Sequence, residues 1–201
     1  MDTPVDLTAL TIFALASSAT PGPNNLLVMR SGARFGLAPT GPHIIGVEAG
    51  LAGLVLLSWL GIGAVLLALP WALSLMRWAC FAYLLWLAWQ VLRDPGAGDV
   101  ADGGARPWGV VNGALFQLVN PKAWMMAITG ITAFSTGRPG GGALGIVIAT
   151  FVGIGSLSLI CWALWGATLH RVLRRPAARR LFNVAMAAVV AATAISTLRT
   201  T

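Results

Sequence analysis

Two polar patches interrupt stretches otherwise apolar enough for lipid. One is Thr20-Pro21-Gly22-Pro23-Asn24-Asn25, the other Gln117-Leu118-Val119-Asn120-Pro121-Lys122. Proline in a helix removes a backbone hydrogen bond and frees carbonyl groups. In a bilayer such a break survives only where it is buried in protein or lines a wet cavity. The amides of Asn24, Asn25, Gln117 and Asn120 supply donors and acceptors at the two breaks. Exposed helix ends suit a zwitterion, N-terminal ends favouring a carboxylate and C-terminal ends an ammonium group. A second reading stays open: simple kinks, with these side chains capping freed backbone groups.

Two charges lie inside the apolar stretches. A lysine near a helix centre costs about 2.5–3.5 kcal/mol on insertion scales, so Lys122 is expected to face protein. It reads either as a ligand for a substrate carboxylate and a proton carrier, or as a structural lysine donating to carbonyls freed by Pro121. Glu48 points away from Gly46 and Gly50, whose spacing makes a close-packing face. It reads as a counter-charge or proton site, or as a shallow glutamate reaching the interface. A depth difference of about 10 Å from Lys122 at 1.5 Å per residue leaves a direct pair open. His43, beside Pro42, reads as a boundary or capping histidine, with a proton role as the alternative.

These residues need membrane helices of about 20 apolar residues to hold them. Six segments qualify: residues 7–29, 44–69, 71–92, 110–133, 143–169 and 181–198. Pro70 joins the second to the third as a tight hairpin. Residues 93–107, rich in Gly, Asp and Ala, read as a cytoplasmic linker between a first half, 1–92, and a second half, 108–201, of one membrane domain. Arg30, Arg34, Arg93, Arg106, Arg171, Arg174, Arg175, Arg179 and Arg180 fall in odd-numbered connections. Only Arg77, Arg138 and Arg199 fall on the other side. The positive-inside rule then makes the odd connections cytoplasmic and both termini periplasmic. Three helices per half force opposite insertion of the halves. The expected fold is therefore an all-α integral membrane protein: six transmembrane helices, a three-plus-three inverted repeat, with helices 1 and 4 broken.

Composition agrees with that class. Of 201 residues, 57% are hydrophobic and 9% charged, against about 25% charged in soluble domains. The net charge of +7 is topological rather than a nucleic-acid footprint, because the arginines cluster at the ends of apolar runs. The arginines around the fifth connection are expected to touch anionic lipid. Cys80 and Cys161 lie singly in apolar runs and read as small buried side chains. Nothing in the chain has the pattern of a phosphate loop, a metal site or a hydrolase triad, so neither enzyme chemistry nor a cofactor is expected. The acidic Asp2 and Asp6, with no basic residue before Arg30, speak against a cleaved leader. Gly109, Gly113, Gly153 and Gly155 read as helix contact points, and Trp71 and Trp108 as interface anchors. Glycine faces allow a homodimer and equally serve packing within one chain.

At the breaks the sequence resembles a known family. Pro21-Gly22-Pro23-Asn24-Asn25, followed by Met29-Arg30-Ser31-Gly32-Ala33-Arg34-Phe35-Gly36 and Pro42-His43-Ile44-Ile45-Gly46, is similar to the first signature of the LysE/RhtB amino-acid exporters. Gln117 with Asn120-Pro121-Lys122-Ala123-Trp124 resembles the second. The resemblance covers essentially the whole chain. It implies export of amino acids or close derivatives across the bacterial inner membrane, driven by proton exchange. Glu48 departs from the apolar residue expected there, and reads as a changed substrate charge, a proton site or neither. The expected substrate elements are Thr20, Pro21, Gly22, Pro23, Asn24 and Asn25 with Gln117, Asn120, Pro121 and Lys122. Glu48 or Lys122 is the expected titrating group. An exporter or channel for inorganic ions or other small metabolites is the alternative, weakened by the lack of a carboxylate ring or a Cys/His ligand set.

Overall fold

The structure, a computed structural model, describes residues 5–93, 106–135, 141–169 and 176–199, and the statements below refer to these. Most of the expected linker, together with Arg138, Arg171, Arg174 and Arg175, lies outside them. Among the described residues all regular structure is helical.

Asp6 caps α1 (Leu7–Ala19) by accepting from Ala9 N at 2.9 Å. Thr20 is extended, Gly22 is the next N-cap, and Pro23 opens α2 (Pro23–Phe35). Proline is at home in a first turn, where its missing N–H would have no helical partner. Gly36, with φ +86°, turns the chain straight into α3 (Leu37–Trp59). Only glycine takes that angle without strain. The second segment therefore differs from expectation. It begins seven residues before Ile44, because Pro42 near the helix start costs one hydrogen bond and does not break it. It stops at Trp59, because Gly61 adopts φ +93°. The short α4 (Ile62–Leu67) follows, and Pro70 opens α5 (Pro70–Arg93).

The fourth segment is split like the first. α6 (Val110–Val119) ends at Asn120, which is extended and caps α7 (Pro121–Phe134). α8 (Gly141–Leu169) and α9 (Pro176–Arg199) complete the chain. Of the six expected crossings, α3 and α8 are long and apolar enough as single helices. α1 and α6 are apolar but cut short by the breaks, and in α9 the apolar window is Arg180–Ile195.

Polarity is distributed inside out. Asn25, Thr40, His43, Glu48, Gln117 and Asn120 are buried, while Ile12, Ile45 and Leu157 are each more than 60% exposed. An apolar surface around a polar interior is what a hydrocarbon solvent selects. One apolar cluster joins α5 and α9 through Cys80, Leu84, Met186 and Val190. Another joins α1, α3, α7 and α8 through Leu10, Leu54, Ala127 and Phe151. Backbones meet at two crossings. Gly32 lies on the Ala163 backbone and Gly166 on Met29, bringing α2 onto α8; Gly46 lies on Val110 and Gly113 on the His43 carbonyl, bringing α3 onto α6. Small residues permit such close approach.

Several expectations change here. Gly109 and Gly153 meet nothing and are not contact points. Trp71 is 66% exposed, whereas Trp108 is no lipid anchor: its ring packs on His43, Tyr83 and Phe116. Cys80 is buried, but Cys161 is exposed on the outer face.

Candidate functional site

The two breaks meet. Asn24 Nδ2, in the first turn of α2, donates to Gln117 Oε1 at 2.7 Å. Lys122, at the start of α7, reaches back to the other break, and its Nζ donates to Thr20 O at 2.6 Å. Thr20 is the C-cap of α1, so this cation sits at a helix C-terminus, where the helix dipole favours it. Gly22 leaves room for the lysine stem: an added Cβ would lie 2.9 Å from Nζ and 3.0 Å from Cδ. The structural alternative for Lys122 thus takes an unexpected form. The carbonyl it serves is Thr20 O at the first break, 102 residues away in sequence, and not one freed by Pro121.

Two other carbonyls beside the breaks receive side-chain donors. Ser18 O accepts from Asn25 Nδ2 at 2.8 Å and from Ser158 Oγ at 2.9 Å. Leu118 O accepts from the Trp124 indole at 2.9 Å. Asn120 Oδ1 accepts from Lys122 N at 3.1 Å, and Asn120 Nδ2 donates to Gln117 Oε1 at 3.3 Å. Gln117 Nε2 donates to Val47 O at 3.0 Å and so ties the second break to α3. These bonds go toward the demand that buried backbone groups find partners where no water reaches them.

Between the breaks lies a cavity of about 40 Å³. Gly22, Pro23, Asn24, Asn25, Gln117, Asn120 and Lys122 line it. Thr20 and Pro21 are exposed and lie outside the lining; Thr20 takes part only through its carbonyl. Pro121 is buried beside it and shapes the turn. α3 contributes Val47, Glu48 and Leu51, and α8 contributes Gly155 and Leu159.

Glu48 is 5% exposed, so it is not a shallow residue reaching the interface. Its carboxyl is held against Gly155, where an added Cβ would lie 2.6 Å from Oε1. Glu48 and Lys122 border the same cavity without an ion pair among the described residues; the ammonium binds Thr20 O instead. Three buried cavity-lining oxygens have no hydrogen-bond partner: Glu48 Oε2, Asn24 Oδ1 and Ser18 Oγ. These are acceptors suited to an ammonium group. Lys122 keeps two further N–H donors for a carboxylate. Among the described residues no cluster of His, Cys, Asp or Glu is fit to hold a metal ion.

Ser18 and Gly155 are cavity residues that the sequence did not mark as such. Ser18 lay visibly beside the first break. For Gly155 the only signal was packing, because nothing in the sequence couples position 155 to position 48. His43 also departs from expectation. It is 1% exposed, and neither ring nitrogen has a partner, so it is neither a boundary nor a capping residue.

Comparison with known proteins gives a consistent result. The chain is 32% identical over 177 residues to proteins named cysteine/O-acetylserine efflux protein from Shigella flexneri serotype 5b (strain 8401) and Escherichia coli (strain K12). A protein of the same name from Shigella sonnei (strain Ss046) is equally similar. In each case the match covers 86% of this chain and 88% of the relative. No solved structure matches. The model of the LysE type translocators matches residues 15–201. With that span and those relatives, the chain belongs to the LysE type translocator family.

Proposed function

We propose that this protein exports small amino acids or close derivatives across the bacterial cytoplasmic membrane by alternating access, with protons entering as substrate leaves. The observation that carries the reading is the meeting of two broken helices around one cavity that offers both an ammonium and a carboxylate. A zwitterion fits such a site. Its carboxylate goes to Lys122, and its ammonium to Glu48, Asn24 Oδ1 and Ser18 Oγ. The relatives' names, which specify cysteine and O-acetylserine, support a small polar side chain. Glu48 and Lys122 are the titrating groups, and Thr20, Pro21, Gly22, Pro23, Asn24, Asn25, Gln117, Asn120 and Pro121 complete the moving element.

The protein crosses the membrane six times as a three-plus-three inverted repeat. α1–α2 corresponds to α6–α7, α3 to α8, and α5 to α9. The packing supports this. The first broken helix packs on α8 and the second on α3; α3 packs on α8, and α5 on α9. Exchanging the halves leaves that set of neighbours unchanged, as a pseudo-two-fold axis in the membrane plane requires. The arginine excess puts the odd connections in the cytoplasm and both termini in the periplasm.

The test is amino-acid release. Cells with and without the protein are loaded with mixed dipeptides, and the medium is profiled over minutes, with and without a protonophore. Selective, protonophore-sensitive release of one or a few small amino acids is expected. With Glu48→Gln, release down a concentration gradient persists but no longer responds to an imposed pH gradient. Unchanged profiles across the panel, with the protein present in the membrane, refute the amino-acid reading. A normal pH response in both Glu48→Gln and Lys122→Met refutes the coupling.

A further inference from the structure

The central cavity is closed in two different ways. Towards the positive connections, backbone lies on backbone. Gly32 and Gly166 bring α2 onto α8, and Gly46 and Gly113 bring α3 onto α6. Gly50 extends the second seam, where an added Cβ would lie 2.8 Å from Ala114 O. At the other end of the helices the seal is a layer of side chains. Leu10 and Ala14 from α1, Leu54 from α3, Ala127 from α7 and Phe151 from α8 meet there, each no more than 1% exposed. Phe13 joins Phe134 and Phe151 at 6.1 and 6.0 Å between ring centroids. Phe151 is seated on Gly130, where an added Cβ would lie 2.5 Å from its Cε2. At 1.5 Å per residue, Ala14 and Phe151 lie about 6 Å beyond the cavity residues Ser18 and Gly155, and Leu54 about 9 Å beyond Glu48.

The two seals hold different pieces of the broken helices. The glycine seams hold α2 and α6. The pieces in the aromatic layer are α1 and α7, and each hangs on a break. Thr20 and Gly22 are extended between α1 and α2, and Asn120 between α6 and α7. Polar contacts tie α1 at its hinge end, where Ser18 O accepts from Asn25 and Ser158, and Thr20 O from Lys122. In the farther half of α1, Leu10, Phe13 and Ala14 pack on apolar side chains. Exchanging the halves turns α1 into α6 and α2 into α7, so the repeat is packed asymmetrically. The piece of each half nearer the positive connections is locked by backbone contact. The piece farther from them is held by side chains. Such asymmetry between repeats is that of a carrier resting in one of its two arrangements.

We propose that the layer of Phe13, Phe134 and Phe151 is the exit gate. α1 and α7 swing on their breaks to open it, while the glycine seams stay shut. Aromatic side chains can part by changing rotamer, whereas backbones in contact part only when whole helices move. Substrate leaving the central cavity passes Ala14. The role as an exit rests on the export reading; the hinged layer does not.

The test is thiol labelling of the full chain in cells and in inside-out vesicles. Ala14→Cys places a thiol in the layer, and Cys161→Ser removes the exposed native one; Cys161→Ser alone gives the background. The reagent is a charged, membrane-impermeant thiosulfonate. Labelling is expected from the outer face and only slowly from the inner face. Because labelling of a buried thiol tracks opening, it is expected to be about tenfold faster when Phe151→Ala or Phe13→Ala thins the layer. Thermal unfolding checks that each variant is folded. Labelling that is as fast from the inner face, or unmoved by both folded variants, overturns the gate. A second arm bridges Phe13→Cys to Phe134→Cys with a short bifunctional thiosulfonate, in cells loaded with serine dipeptides. Serine release is expected to stop on bridging and to return on reduction; release that continues in the bridged protein overturns the gate. A chain that releases no serine before bridging counts against the export reading, and the labelling still decides the gate.

Discussion

Lys122→Met separates a structural lysine from a transporting one, because two stability terms of similar size oppose each other there. The substitution removes the donor to Thr20 O at 2.6 Å. A hydrogen bond from a charged group contributes about 1.5–3 kcal/mol. It also removes a cation from a helix embedded in the bundle, relieving about 2.5–3.5 kcal/mol on insertion scales. Methionine is unbranched and fills the same channel past Gly22. The net change runs from about 0.5 kcal/mol lost to about 2 kcal/mol gained, and at about 2–4 °C per kcal/mol for a chain of this size, Tm is expected to fall by no more than about 2 °C or to rise by up to about 8 °C. Transport has no such compensation. On the proposed reading the substrate carboxylate loses Lys122, the one cation among the described lining residues, and efflux is expected to fall at least 100-fold. The assay pairs thermal unfolding in detergent with efflux from preloaded vesicles. Wild-type efflux with an unchanged Tm would show that Lys122 plays no part in transport. A Tm loss beyond about 10 °C would show that its role is structural.

Two further substitutions test how glycines shape the site. In Gly155→Ala the new Cβ lands 2.6 Å from Glu48 Oε1, where ordinary contact begins at 3.4 Å. The carboxyl must move by about 0.8 Å; efflux is expected to fall about tenfold with little change in Tm, and unchanged efflux would remove Glu48 from the proposed site. In Gly46→Leu the side chain overlaps the Val110 backbone and must separate α3 from α6. Overpacking of this kind costs about 1–3 kcal/mol, seen as a lower Tm, and an unchanged Tm would contradict the close crossing.

The parts of this fold legible in the sequence are those set by local chemistry. Pro21, Gly22 and Pro23 leave no way to continue a helix, and Asn120-Pro121 is both a cap and a first turn, so both breaks were visible. The boundaries of α3 were not. Pro42 reads as a stop, but near a helix start its cost is small, while the true stop depends on the left-handed conformation of Gly61, which no flanking residue announces. Long-range pairings were hidden for a different reason. Lys122 to Thr20 spans 102 residues and Asn24 to Gln117 spans 93. Each needs the two halves already docked, and no periodicity within one helix encodes that. Trp108 misled because aromatic residues at helix ends serve lipid interfaces and interior stacks alike.

The two inter-break hydrogen bonds also say what opening the cavity requires. Asn24 to Gln117 and Lys122 to Thr20 are reciprocal: each break sends one side chain to the other. They brace the cavity while it is narrow, and an amino acid cannot reach the unpaired oxygens of Glu48, Asn24 and Ser18 unless at least one of them gives way. Substrate can supply the replacement partners. Its carboxylate can take the lysine from Thr20 O, and its ammonium can satisfy the acceptors on the opposite wall. Neutral hydrogen bonds contribute about 0.5–1.5 kcal/mol each and charged ones about 1.5–3, so the exchange is close to balanced. Near balance is what a carrier needs, because a ligand that bound one arrangement far more tightly would trap it there. On the proposed reading, the same pair of bonds serves as a lock in the empty protein and as the set of contacts that substrate displaces.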